Sequence, residues 1–156
     1  MFYINKKLKK FSAAHRLIKG YEGKCKNLHG HNYAVDVFIA ADDLDHFGFV
    51  MDFDDIKLHF DQWIQQHWDH ATLVSEIDVP LLDFLKKEKQ HHYVLPGEKN
   101  TSSERLAEYL FHRFTDILNN LQKENPRLSL TEVRVYESDT AMAGFHNTDR
   151  SYTLAT

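Results

Sequence analysis

The chain has 156 residues, 42% of them hydrophobic and 27% charged. That suits one globular domain over residues 1–156 and excludes long disorder and collagen-like repeats. A net charge of -4, with eleven histidines counted as neutral, argues against a basic nucleic-acid binder. A single cysteine rules out an intrachain disulfide and fits a reducing cytoplasm. No apolar stretch nears the roughly 18 residues of a membrane span, and residues 1–14 lack the apolar run of a signal peptide.

Residues 2–15 carry Phe2, Ile4, Leu8 and Phe11 among lysines and read as one strand. Residues 19–26, with two glycines and several charges, read as a loop. The clearest strand covers 31–41, where Tyr33, Val35, Val37 and Ile39 alternate with Asn32, Ala34, Asp36 and Phe38. Its period of two assigns one face to the core. A helix starts near Asp52, because Asp52, Asp54 and Asp55 crowd a first turn that favours acids. Phe53, Ile56, Phe60, Trp63, Ile64 and His67 then recur at helical spacing, with Asp69 and His70 just past the end.

Residues 77–97 are less regular, and the run from Leu81 to Leu85 after Pro80 reads as one or two helical turns. A second long helix begins at Thr101 and Glu104, which form a T-x-x-E capping box. Leu106, Ala107, Leu110, Phe111, Phe114, Ile117, Leu118 and Leu121 give it a broad apolar face. Asn125 and Pro126 stop it. Two strands close the chain, over 128–137 and 143–153, with Gly144 marking a bend between them. The order β-β-α-α-β-β points to an α+β domain, an antiparallel sheet with two helices on one face. A four-stranded sheet this short exposes its edges, which oligomerisation would cover.

Eleven histidines is the outlying count. His29 and His31 are two apart on a strand and so share a face, where two imidazoles can share a metal. His15 is the best third donor, if the first two strands pair across residues 16–28. Three neutral histidines with an open fourth position describe a catalytic zinc site. Cys25 lies four residues before His29, in a polar loop between Lys24 and Lys26. It could serve as a nucleophile or base, or close the shell as a fourth ligand. Asp69 beside His70 offers a carboxylate that can orient an imidazole. Glu137, near a strand end, could hold a polar ligand edge through two hydrogen bonds.

The pieces Phe11-Ser-Ala-Ala-His15, Cys25-Lys-Asn-Leu-His29-Gly-His31-Asn-Tyr33, Gly48-Phe-Val-Met-Asp-Phe53, Asp69-His70 and Tyr136-Glu137 stand in an order that resembles the 6-pyruvoyl-tetrahydropterin synthase superfamily. The three-residue spacer between Cys25 and His29 is most like the bacterial 6-carboxy-tetrahydropterin synthase branch. The resemblance implies a T-fold (tunnelling fold) that assembles into trimers, or dimers of trimers as a homohexamer, with sites between subunits. It implies Zn2+ on His15, His29 and His31, Cys25 as catalytic base, Asp69 with His70 as a second proton carrier, and Glu137 as anchor of a pterin ring. The implied activity is that of a lyase. It converts 7,8-dihydroneopterin triphosphate to 6-carboxy-5,6,7,8-tetrahydropterin, acetaldehyde and triphosphate, on the route to queuosine. The alternatives are the pyruvoyl product, or a pterin- or zinc-binding relative without catalysis. Where the family often has N-P-T-x-E, this chain has Asn100-Thr-Ser-Ser-Glu104. Ser102 keeps the hydroxyl and is carried over as a substrate contact. Arg16, Lys19, Lys24 and Lys26 stand unranked as triphosphate contacts. The remaining histidines, His91 and His92 among them, are assigned no catalytic role.

Overall fold

A computed structural model describes residues 1–147. The expected frame is present, with additions. Strands β1 (Phe2–Lys7), β2 (Phe11–His15) and β3 (His29–Ala41) come first. Next, α1 (Phe53–Ile56) runs through a wider π-helical turn, Lys57–Asp61, into α2 (Gln62–His67). Strand β4 (Ala71–Ser75), helix α3 (Val79–Lys87) and strand β5 (His92–Leu95) follow. Helix α4 (Ser103–Leu121) and strands β6 (Leu128–Tyr136) and β7 (Met142–His146) complete the described residues. The expected extension of the last strand toward Thr153 lies outside them.

The single strand expected over 2–15 is two, and the reason is a register change. Lys7 faces Asp36 and Phe11 faces Tyr33, so three residues on one side oppose two on the other. The extra residue is a bulge. It lets both Leu8 and Phe11 point inward, 3% and 2% exposed, although they are three apart. The Leu8 N–H bonds the Val35 carbonyl, and the Lys9 N–H bonds the Asp61 carboxylate. β1 and β2 therefore share one edge of β3, end to end.

The sheet runs β5-β4-β2-β3-β6-β7, with β1 also on β3. Pairings among β1, β2, β3, β6 and β7 are antiparallel, as expected. The β2–β4 and β4–β5 pairings are parallel, which corrects the purely antiparallel, four-stranded expectation. A β4–α3–β5 crossover fits a parallel pair, because two parallel strands need a connection that returns to the starting end. Two further corrections concern turns. Gly144 is not a bend; it sits inside β7 opposite Arg134. Thr101 does not cap α4; the Ser102 hydroxyl does, accepting from the Arg105 N–H.

Helices α2 and α4 cover one sheet face. Tyr33, Val35, Val37 and Ile39 are fully buried, as their alternation requires. They meet Ile56, Phe60, Ile64, Leu106, Leu110 and Phe114 in one cluster. Phe60 and Phe114 stack with ring centres 4.5 Å apart. This core packs against β3 from Tyr33 onward, and the site stands on the residues just before it. Among the described residues no helix is long and apolar enough to cross a membrane.

Candidate metal centre and its surroundings

His15 is the last residue of β2 and pairs directly with His29, the first of β3. His31 is two residues further and so returns to the same face. The three rings come together, with centres 4.6 Å (His15–His29), 5.2 Å (His15–His31) and 4.9 Å (His29–His31) apart. One nitrogen from each lies within 4.8 Å of the other two.

Hydrogen bonds on the far side of the rings set the tautomers. Nδ1 of His15 lies 2.7 Å from the Thr101 carbonyl, and Nδ1 of His29 lies 2.7 Å from the Asn27 carbonyl. A carbonyl can only accept, so both Nδ1 atoms carry the hydrogen and both Nε2 lone pairs are free. Nε2 of His29 and of His31 are buried with no partner. Burial, helped by the neighbouring imidazoles, pulls the His15 pKa below its usual value against the Thr101 carbonyl and the Glu137 charge. His15 is thus held neutral, the form that donates to a metal. Buried nitrogens left unpaired cost free energy. Ring nitrogens anchored on carbonyls, with lone pairs turned on one point, are the arrangement of a metal site. The residues fit a divalent ion that accepts imidazole nitrogen.

Three further groups approach this cluster. The Tyr33 hydroxyl lies 3.4 Å from His15 Nε2. Burial, with the charges of Glu137 and Cys25, drives its pKa well above the ordinary phenol value. Tyr33 was legible only as core, although it continues the alternation of His29 and His31. Glu137 follows β6, and its Oε2 accepts a hydrogen bond of 2.8 Å from the Ser103 hydroxyl. Ser102, carried over as a substrate contact, accepts the Arg105 N–H at the helix start.

Cys25 sits half-buried in a short 3-10 turn, Lys24–Lys26. Its carbonyl accepts the Leu17 N–H at 2.8 Å, which ties the turn to the end of β2. The thiol is not among the clustered donor atoms.

Asp69 and His70 do touch: Asp69 Oδ2 is 3.1 Å from His70 Nδ1. Burial works to raise the Asp69 pKa, but the Ser12 N–H, His70 and Lys9 outweigh it and hold the carboxyl below its ordinary value. His70 occupies the left-handed region at φ 57, strain of the kind that persists where the surroundings impose it. Here its N–H is fixed on the Ser12 carbonyl at 2.6 Å. Ala71 pairs with Ala13, which brings His70 beside Ser12, and His70 lines the same open cleft as Ser12, His31 and Asn32.

Arg16, one of the unranked candidate phosphate contacts, is engaged within the chain. Its guanidinium makes two bonds, 2.7 and 2.6 Å, to the nearly buried carboxylate of Asp78, which also caps α3. Lys19 donates to the Glu98 carbonyl, and Lys26 pairs loosely with Glu22.

The family description "6-pyruvoyl tetrahydropterin synthase" matches residues 3–148. A 6-carboxy-5,6,7,8-tetrahydropterin synthase of Haemophilus influenzae is 31% identical over 152 residues, covering 93% of this chain and 99% of that one. The human 6-pyruvoyl tetrahydrobiopterin synthase is 31% identical over 140 residues, covering 83% and 81%. Among solved structures, the Plasmodium vivax 6-pyruvoyltetrahydropterin synthase superposes with a TM-score of 0.69 at 20% identity, covering 94% of this chain and 99% of that one. The Caenorhabditis elegans enzyme does so at 0.64 and 23%, covering 95% and 98%. The fold is the T-fold that the motifs implied.

Proposed function

Because the chain belongs to the 6-pyruvoyl tetrahydropterin synthase family, we propose that it acts on 7,8-dihydroneopterin triphosphate. With one water it yields 6-carboxy-5,6,7,8-tetrahydropterin, acetaldehyde and triphosphate, in the cytoplasm and on the route to queuosine. The observation that carries this reading is the convergence of three imidazoles, two of them anchored on carbonyls, beside Tyr33, Glu137 and Cys25. The name of the Haemophilus relative, which spans nearly the same length, favours the carboxy product.

His15, His29 and His31 would hold Zn2+, which when bound supplies a Lewis acid that stabilises negative charge developing on substrate oxygen. Glu137 accepts two N–H groups along the polar edge of the pterin. Ser103 fixes the carboxylate for that contact through Oε2. Cys25, on a turn pinned to β2, takes a proton from the side chain of the substrate. His70, oriented by Asp69, is the second proton carrier. In the between-subunit sites that the motifs imply, a neighbouring copy supplies it, which makes the working enzyme an oligomer. The substrate side chain is oxidised as the ring is reduced, so no redox cofactor is needed.

Incubation with dihydroneopterin triphosphate and mass spectrometry of the products tests the reading. Acetaldehyde with the carboxylated pterin supports it. A pyruvoyl product, the reading favoured by the human relative, replaces it, and no turnover refutes it. Glu137→Ala should weaken pterin binding by about 1.5–3 kcal/mol, the loss of a charge-assisted contact, while the metal content stays unchanged. Titration calorimetry against a pterin reads the first, and elemental analysis the second.

A further inference from the structure

Beside His70 there is an open cleft of about 470 Å3 that reaches His31 of the histidine cluster. Its other polar lining comes from Ser12, Asn32, His70, Thr72, Gln90 and His91. These are hydroxyls, carboxamides and imidazoles, and no carboxylate is among them. The one acid close behind, Asp69, is already engaged by the Ser12 N–H and His70. The Lys9 charge is near enough to act on Asp69.

Hydrogen bonds leave donors unspent along the cleft. The Ser12 hydroxyl donates to Asn32 Oδ1 at 2.7 Å, a bond that uses the accepting end of that carboxamide and not its NH2. Gln90 spends one amide hydrogen on the Glu88 carbonyl at 3.2 Å and keeps another. Gln90 and His91 come from the connection between α3 and β5. That connection is placed here by the parallel pairing of β5 with β4 and by the Thr72 N–H bond to the His91 carbonyl, 3.0 Å. A surface of donors without acids suits a multiply charged anion.

We propose that this cleft holds the phosphate chain of the substrate, with Gln90 and His91 as its specificity-determining contacts. The proposal rests on the reaction assigned above. There, the bond that breaks joins the terminal side-chain carbon to the triphosphate oxygen, which leaves with the electron pair. His70 acts on a proton close to that bond, so the phosphate chain must lie in the space beside His70. The cleft is that space. A pterin anchored on Glu137 of one copy would extend its phosphate chain across the sheet of the next. The β4–α3–β5 insertion thereby gains a use: it builds one wall of the phosphate site.

The test uses the full chain and inorganic tripolyphosphate as probe. Calorimetry should show the wild type binding it, and Gln90→Glu and His91→Glu each weakening it about tenfold or more, as like charge opposes like. Phosphate-free dihydroneopterin should bind both variants as it binds the wild type. In turnover, KM for the triphosphate substrate should rise far more than kcat falls. Should a carboxylate variant fail to fold, Gln90→Ala and His91→Ala read the same quantities. Unchanged tripolyphosphate affinity in the folded variants overturns the proposal. So does a wild type that ignores the probe, or an equal loss for phosphate-free dihydroneopterin. A wild type that binds tripolyphosphate but turns nothing over sinks the reaction assignment and leaves the anion site standing.

Discussion

A His31→Ala protein is expected to lose tightly bound divalent metal and turnover together. His31 Nε2 is a buried nitrogen without a protein partner, as is His29 Nε2, and its ring packs against those of His29 and His15. Removing it leaves two donors, His15 and His29, whose carbonyl anchors stay in place. Loss of a mere outer-shell partner costs about 10–100-fold in metal affinity, so loss of a ligand should cost on the order of 100-fold or more. Metal content after dialysis, read by elemental analysis, should fall from about one ion per chain toward none. Turnover should fall below detection, and wild-type enzyme treated with a chelator should behave alike until zinc is restored. His31 contributes little to the apolar core, so the melting temperature of the metal-free forms should agree between variant and wild type. Full metal content in the variant would show that the three rings are not the site.

A Cys25→Ala protein should keep its metal and lose its chemistry. The thiol stands outside the set of clustered donors but close enough to Tyr33 for its charge to be felt there. Positioned general bases contribute roughly 10²–10⁴-fold, so kcat should fall within that range while pterin affinity stays near wild type. The turn that carries Cys25 is held by backbone bonds, from Leu17 to the Cys25 carbonyl and from Lys26 to Gly23, which alanine preserves. The decisive readout is the combination of metal analysis with kinetics. Retained metal with lost turnover identifies a base. Metal lost along with turnover identifies a fourth ligand, the role that spacing alone left open.

The two variants separate the binding half of the site from the proton-moving half. That separation is visible in how the chain presents each residue. The histidines stand on paired strands, whose register is enforced by the buried face of β3. Cys25 and His70 stand on a short turn and at a strained loop residue.

Strand period alone put His29 and His31 on one face and Tyr33, Val35, Val37 and Ile39 in the core. The apolar faces of the two long helices were equally plain. These features repeat within a few residues, so local geometry suffices to read them. The split of the first strand was half legible, because Leu8 and Phe11 sit at an odd spacing that no single ladder can bury. Of the inserted β4–α3–β5 unit only helical turns over Leu81–Leu85 were read; its strands were not, because they have four or five residues and no clean alternation, and the partner of β4 lies far along the chain. Contacts across such distances decided the rest. The His15 ring is oriented by Thr101, 86 positions away. Glu137 is steadied by Ser103, 34 positions away, and Arg16 is bound to Asp78, 62 positions away. Sequence carries which side chains can share a face. Only the packed chain brings a carbonyl, a hydroxyl or a counter-charge to a given nitrogen or oxygen, because each such partner is set by the docking of a separate element.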